Sequence, residues 1–361
     1  MSSQNLNEEQ LKLFTECQFL TAPDVTPVDQ EFTVEQPRLF LASADIYGEN
    51  ASGKVNFADK AVSYSCFFQK AEGFNSDLPA LLICIKDNHK LLKYTLENLA
   101  EYEVKDKSNV IVIDDRPTSD DIKLLAEAQK CSYLKVDYQD DFSFSMLNNI
   151  PAKIAKELGC SKIVLWNSDM WAKDKETFPE LLRLHDENRA KISGVKLVYP
   201  PFRWDGNETE ESLGIPKYWE SKSDSYRGTT QHGGIIFTGN PIFQTYMPGH
   251  CHRFIDPDHP LVNCDKGDLA ITGAFMIIDL NWFVELGGFN PSLPRIFQDI
   301  DLCLSADRVL YFGKDKFFYH DESLSTLSKV EQDVDDKMFA DSMMFANLRP
   351  QRFFNKIFVY E

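Results

Sequence analysis

The sequence predicts an α/β protein built on a mostly parallel sheet with helices on both faces, and three observations carry that expectation. Between residues 78 and 166, short apolar runs alternate with amphipathic stretches at helical spacing, the pattern of repeated βα units. The runs are apolar throughout rather than alternating, as strands buried on two faces must be. With 361 residues, 43% of them hydrophobic and 26% charged, the chain has the composition of a globular protein and room for one large domain with appendages or two ordinary ones.

Residues 1–76 come first, with apolar segments at 39–42 and 61–68 set between Gly, Asn, Asp and Ser; they read as an N-terminal extension carrying short strands. The main domain, 77–325, opens with the strand ALLICIK and the helix HKLLKYTLENLAEY, whose Leu92, Leu96 and Leu99 share one face. Then come the strand NVIVIDD, the turn RPTSD, the helix DIKLLAEAQK, the strand SYLKVDY, the helix MLNNIPAKIAKEL stopped at Gly159, and the strand KIVLW. From 199 to 266 periodicity fades among Pro, Gly, His and aromatic residues, which predicts long loops with a short strand at GGIIFTG. Loops that long in a compact domain usually carry function. Regular pattern returns in DLAITGAFMIIDL, NWFVELGGF, IFQDIDLCLSADR, the short strand VLYFG and KFFYHDESLS; a tail, 326–361, holds an amphipathic stretch expected to pack back as a helix.

Charge and cysteines remove several classes of function. A balance of 38 Lys+Arg against 56 Asp+Glu, −18 overall, repels nucleic acid and anionic membrane surfaces. No apolar run reaches the 18 or so residues of a transmembrane segment, and the start MSSQNLNEEQ is polar and acidic where a signal peptide is basic and then apolar, so a cytoplasmic protein is expected. None of the 8 Cys forms a CxxC pair, and several sit in apolar runs such as LLICI and IDLCL, as small hydrophobes rather than a disulfide framework.

In a parallel sheet ligands bind beyond the carboxyl ends of the strands, and here each of those ends is acidic: Asp87, Asp114 with Asp115, Asp137, and Asn167-Ser168-Asp169. Asp also caps helices, which is the competing explanation for any one of them. Together they suit a divalent cation with hard oxygen ligands, magnesium or manganese, with Asp169 the leading candidate. Such an ion lets an acidic chain meet a nucleoside diphosphate. Neither GxxxxGK[ST] nor GxGxxG occurs, so P-loop and dinucleotide readings lack their phosphate cradle.

Four blocks in order resemble the inverting family 2 glycosyltransferases of the GT-A fold, particularly rhamnosyl- and O-antigen-type transferases. They are IKDNHKLLKYTLENL with VIVIDDRPTSDD; DFSFSMLNNIPAKIAKELGCSKIVLWNSDMW; QHGGIIFTGN and PGHCHR with DLAITGAFMIIDLNWFVELGGFN and FQDIDLCL; and FFYHDESLS. The resemblance covers about 78–325 and implies a GT-A-type, Rossmann-like nucleotide-sugar-binding sheet, a nucleotide-sugar donor (UDP- or dTDP-linked) and a saccharide or glycan acceptor. It implies that Asp87 and Asp115 meet the nucleoside, Asp169 and His320 hold Mn2+ or Mg2+, and Asp299 is the general base. Thr272, Gly273 and Ala274 would line the donor sugar pocket. Asp114, Asn149, Asn167 and Ser168 fall on the donor side, and His250, Asp301 and Trp171 on the acceptor side.

The chemistry asks for these roles on its own account. A departing diphosphate is stabilised by a Lewis acid, and the acceptor hydroxyl must pass its proton to a nearby carboxylate. One base with direct displacement inverts the anomeric centre. Asp299 and Asp301, two apart on a short helix, face different sides, so one can meet the acceptor while the other caps or pairs. The sequence departs from the family at Asn167, where an acidic residue is usual, and at Gln298, which precedes Asp299 in place of Glu. The reduced metal motif motivates an alternative, a carbohydrate-binding protein that kept the fold and lost turnover. His250, Cys251, His252, His259 and Cys264 are close in sequence, but their spacing fits no four-ligand zinc pattern. Trp166, Trp171, Phe202, Trp204, Tyr218 and Trp219 are candidates for stacking on sugars or for packing beneath loops.

Overall fold

The computed structural model describes residues 51–57, 60–138, 142–201, 226–240, 242–321, 332–351 and 353–354. Segment 39–42 and the candidate aromatics Phe202, Trp204, Tyr218 and Trp219 lie outside them. The chain begins with the hairpin β1 (Ala51–Phe57) and β2 (Lys60–Gln69). The βα series follows as read: β3 (Ala80–Ile85), α1 (His89–Glu101), β4 (Asn109–Asp115), α2 (Asp121–Ala128), β5 (Ser132–Tyr138), α3 (Phe144–Glu157) and β6 (Lys162–Trp166). Next come β7 (Met170–Trp171), α4 (Thr177–Glu187), β8 (Ile192–Val198), β9 (Thr230–His232), β10 (Ile235–Asn240), β11 (Thr245–His250) and β12 (Asp265–Gly267). The chain closes with β13 (Phe275–Asp279), α5 (Leu280–Leu286), α6 (Gln298–Cys303), β14 (Val309–His320) and α7 (Gln332–Leu348).

The central sheet runs β1-β2-β5-β4-β3-β6-β13-β8-β14-β12. Its heart is the expected parallel set, β5-β4-β3-β6, with β8 and β14 parallel further along. The N-terminal hairpin widens it, β2 pairing antiparallel with β5, and β13 joins its halves antiparallel to both β6 and β8. The strand alternation of period 2 divides the core: on β3, Leu81, Ile83 and Ile85 face one apolar layer and Ala80 and Leu82 the other. Leu91, Leu92, Leu96 and Leu99 of α1, Ile122 and Ala126 of α2 and Phe178 and Leu181 of α4 cover the first face. Met146, Leu147, Ile150 and Ile154 of α3, with Phe283 of α5, cover the second.

Local chemistry sets the ends of these elements. Asn88 caps α1 by accepting from the Leu91 N–H at 3.1 Å, and Ser143 caps α3 from Met146 at 3.2 Å. Asp279 caps α5 from Trp282 at 3.0 Å, and Gly287 ends that helix at φ +89°, a left-handed conformation glycine adopts without strain. VLYFG and KFFYH, read as separate pieces, are one 12-residue strand whose register to β8 breaks between Phe312 and Phe317. Beyond GGIIFTG the loop region also yields β9, β11 and β12, too short or too rich in Pro and Gly to show a period. The C-terminal helix packs back as expected: Asp341 accepts from the N–H groups of Arg295 and Ile296, and Phe345 is fully buried. No helix among the described residues is long and apolar enough to cross a membrane.

Candidate functional site

The chain runs outward through β3, β4 and β5 and then returns to lay β6 on the other side of β3. At such a reversal the loops leaving the two strands diverge and open a crevice at their carboxyl ends. Asp169 follows β6, 1% exposed. The short β7 behind it pairs with the end of β14, His320 opposite Met170. That register sets the His320 Nε2 at 3.3 Å from Asp169 Oδ1 and 3.5 Å from Asn167 Nδ2, and the Asp321 N–H donates to the Asp169 carbonyl at 3.0 Å. His320 Nδ1 lies 3.3 Å from Gln231 Oε1.

These residues fit a small divalent ion. Adjacent octahedral ligands of such an ion are about 3 Å apart, near the 3.3 Å between the Asp169 oxygen and the His320 nitrogen; the carboxylate suits magnesium or manganese, and the imidazole is a borderline ligand of first-row divalent ions. Among the described residues no group of three or more His, Cys, Asp or Glu has metal-ligand geometry, so further coordination would come from outside those side chains. Beside the pair, Arg227 Nη1 bonds Asp321 Oδ1 at 3.0 Å with both side chains largely buried. Burial holds the Asp321 carboxyl above its ordinary range, although Arg227 pulls it down.

Asp299 reaches the same edge from the first turn of α6. Its Oδ2 accepts the Gly273 N–H at 2.7 Å and its Oδ1 the Ile300 N–H at 2.8 Å. A Cβ on Gly273 would sit 3.1 Å from Asp299 Cβ, so the close approach favours glycine. Burial raises the carboxyl's pKa and the two N–H bonds offset part of that rise. One residue on, the Ala274 carbonyl accepts the Asn167 N–H at 3.0 Å. Thr272–Gly273–Ala274 therefore ties Asp299 to the strand end that carries Asp169.

The other strand-end carboxylates each have a partner. Exposed Asp87 accepts from the Thr118 N–H at 3.1 Å and hydroxyl at 2.9 Å. Asp114 is fully buried, takes the Tyr133 hydroxyl at 2.9 Å, and burial pushes its pKa up to about 6. Asp115 is gripped by Arg116 through two 2.8 Å bonds, and that guanidinium lies 4.4 Å above the Tyr138 ring. Asp137 pairs with Lys135 on the surface.

Four more of the expected site residues are engaged by protein neighbours. Trp171, expected on the acceptor side, is fully buried with its ring edge-on to Tyr94 at 5.4 Å, a core residue like Trp166. Asp301, also expected there, is 1% exposed and bonds Arg349 Nε at 2.9 Å, anchoring the tail. Asn149, expected on the donor side, exchanges hydrogen bonds with the backbone of Phe289, its Nδ2 donating at 2.9 Å and its Oδ1 accepting at 2.8 Å. His250 packs against buried His232, with 2.9 Å between their Nδ1 atoms; burial keeps His232 well below its ordinary pKa. Ser168 is also buried, and its carbonyl accepts the Thr95 hydroxyl at 2.6 Å. Residues that sequence reasoning passed over are Arg116, Arg227, Gln231, Asp321 and Arg349. Arg116 and Asp321 adjoin named residues and Gln231 opens the quoted block QHGGIIFTGN, while Arg227 and Arg349 lie outside every quoted block.

No family model and no curated protein matches the chain. Solved structures do. GalNAc-T7 with UDP, GalNAc and Mn2+ is 10% identical over 68% of this chain and 44% of that one, with a TM-score of 0.46. The mannosyltransferase PcManGT from Pyrobaculum calidifontis, in complex with GDP-Man and Mn2+, is 11% identical over 69% and 58%, at 0.41. S. aureus TarS 1-349 is 14% identical over 79% and 72%, at 0.43. The chain is similar in fold to glycosyltransferases. It spans 44% and 58% of the first two chains, and at these identities and TM-scores the likeness gives no residue here a role.

Proposed function

We propose that the protein is a metal-dependent inverting glycosyltransferase that moves a sugar from a UDP- or dTDP-linked donor to a saccharide hydroxyl. One observation carries the reading: a buried carboxylate–imidazole pair, Asp169 and His320, is joined through Ala274 and Gly273 to a carboxylate, Asp299, whose described partners are backbone N–H groups.

Manganese or magnesium held by Asp169 and His320 would supply Lewis-acid neutralisation of the departing diphosphate. Arg227, kept beside the pair by Asp321, adds a cation to the same corner. Asp299 takes the proton of the acceptor hydroxyl as its oxygen bonds to the anomeric carbon and the bond from that carbon to the diphosphate breaks on the opposite face. A raised pKa makes this carboxylate a stronger base. Asp301 is engaged with Arg349, which leaves Asp299 of the α6 pair for a single displacement, and single displacement inverts. Asp87 and Asp115 stand at the strand ends where the nucleoside would lie; a ligand there shares Asp115 with Arg116.

The test is release of UDP or dTDP from a panel of nucleotide sugars in the presence of glycan acceptors, for wild type and Asp299→Asn. Turnover in the wild type and its loss in the variant, with donor binding retained, supports the reading. Donor-independent binding of glycans without turnover in either protein would favour the carbohydrate-binding alternative.

A further inference from the structure

We infer that Gln231 is a positioning residue that sets the tautomer of His320, so that the Nε2 lone pair, and not an N–H, faces Asp169. The inference rests on the proposed reading of Asp169 and His320 as a metal pair and adds how the fold keeps that pair ready.

A neutral imidazole carries one N–H, and the neighbour of one ring nitrogen decides which nitrogen has it. Gln231 Oε1, 3.3 Å from Nδ1, can only accept, so the hydrogen belongs on Nδ1. The other side agrees: Asn167 Nδ2, 3.5 Å from Nε2, is a donor and needs a lone pair there. With that tautomer, a nitrogen lone pair and a carboxylate oxygen face each other at 3.3 Å in a buried corner. Two electron-rich groups so placed repel, and a cation between them relieves the repulsion. The opposite tautomer would fill the gap with its own proton and close it to a metal.

The backbone places Gln231 for this task. Its strand β9 pairs with β8 through His232 opposite Leu197 and Thr230 opposite Val198, with a break in register between them. Gln231 is the extra residue of that irregularity, and a bulge re-aims the side chain it carries. The residue is 1% exposed, so its amide has no bulk water to prefer over the imidazole.

The experiment uses the full chain with 15N-labelled histidine, metal-free, at an alkaline pH where the ring 15N shifts themselves report a neutral imidazole, with the His320 ring signals assigned from a His320→Gln variant. Two-bond 1H–15N correlations read the tautomer, and water proton relaxation with Mn2+ alone reads affinity. Wild type is expected as the Nδ1–H tautomer. Gln231→Leu should move His320 to Nε2–H and weaken Mn2+ binding about 10–100-fold. Gln231→Glu keeps an acceptor oxygen and should keep both the tautomer and the affinity, which also covers the case in which the Leu variant folds poorly. An Nε2–H signal in the wild type, or Gln231→Leu with tautomer and affinity both unchanged, overturns the inference. A wild type that shows Nδ1–H and its loss in Gln231→Leu, but binds no Mn2+, supports the hold of Gln231 on the ring and overturns the metal reading instead.

Discussion

Between residues 80 and 169 carboxylates stand at the ends of apolar strands, and those after β3 and at the end of β4 are met by other side chains: Thr118 on Asp87, Tyr133 on Asp114, Arg116 on Asp115. Between 272 and 321 the fold separates two carboxylates only two residues apart. Asp299 keeps backbone N–H groups for company, while Asp301 is buried against an arginine from the tail. The lesson is that sequence spacing places a carboxylate, and its partner decides its work. One held by N–H groups can still take up a proton, whereas one locked to a guanidinium is part of the frame.

The sharpest way to break this comparison is to exchange the pair. Asp299→Asn should lower kcat about 10²–10⁴-fold, the range for loss of a general base, with donor binding measured by calorimetry unchanged. Asp301→Asn should instead cost stability, up to about 3–5 kcal/mol in denaturant unfolding, because the buried Arg349 loses its neutralising charge and keeps only neutral acceptors. Equal losses of turnover per folded molecule in both variants would erase the distinction.

The next effect is smaller and of opposite sign. The folded pKa of Asp114, about 6, lies above its unfolded value of 3.8, so the carboxyl favours folding most when protonated. Its contribution is greatest below pH 3.8, falls as pH rises towards 6, and stays low above that. Asp114→Asn should therefore stabilise the fold at pH 7.5 by at most about 3 kcal/mol, with no difference near pH 3, as read from denaturant midpoints at the two pH values. Destabilisation at pH 7.5 would mean that the charged form has a partner worth more than its burial costs. Smallest is Trp171→Phe, a core trimming expected to cost about 1–2 kcal/mol with the acceptor KM unchanged; a raised KM would return Trp171 to the acceptor side.

The first region was legible because its signals are local. Leu92, Leu96 and Leu99 repeat at helical spacing and NVIVIDD is a buried strand that ends in acid, so β3 to β6 and Asp169 could be placed from the sequence. The pairing of Asp169 with His320 came from the resemblance, since 151 residues separate them and only the β7–β14 register brings them together. The surroundings of Trp171, Asn149 and Asp301 were illegible for a related reason: burial and the partners Tyr94, Phe289 and Arg349 are tertiary facts with no trace in spacing. Gln231 opens the quoted block QHGGIIFTGN, but its place beside His320 left no signal, because a three-residue strand with a bulge has no period to detect.

The central claim, a nucleotide site that works through a divalent ion on Asp169 and His320, is tested most directly by titrating UDP and dTDP into the protein with and without Mn2+ and repeating the titration with Asp169→Ala. The account predicts binding of one nucleotide that strengthens at least tenfold with Mn2+ and loses that gain in the variant, since Asp169 supplies the one carboxylate of the pair. Nucleotide binding that is indifferent to Mn2+, or equally metal-dependent in Asp169→Ala, would contradict it.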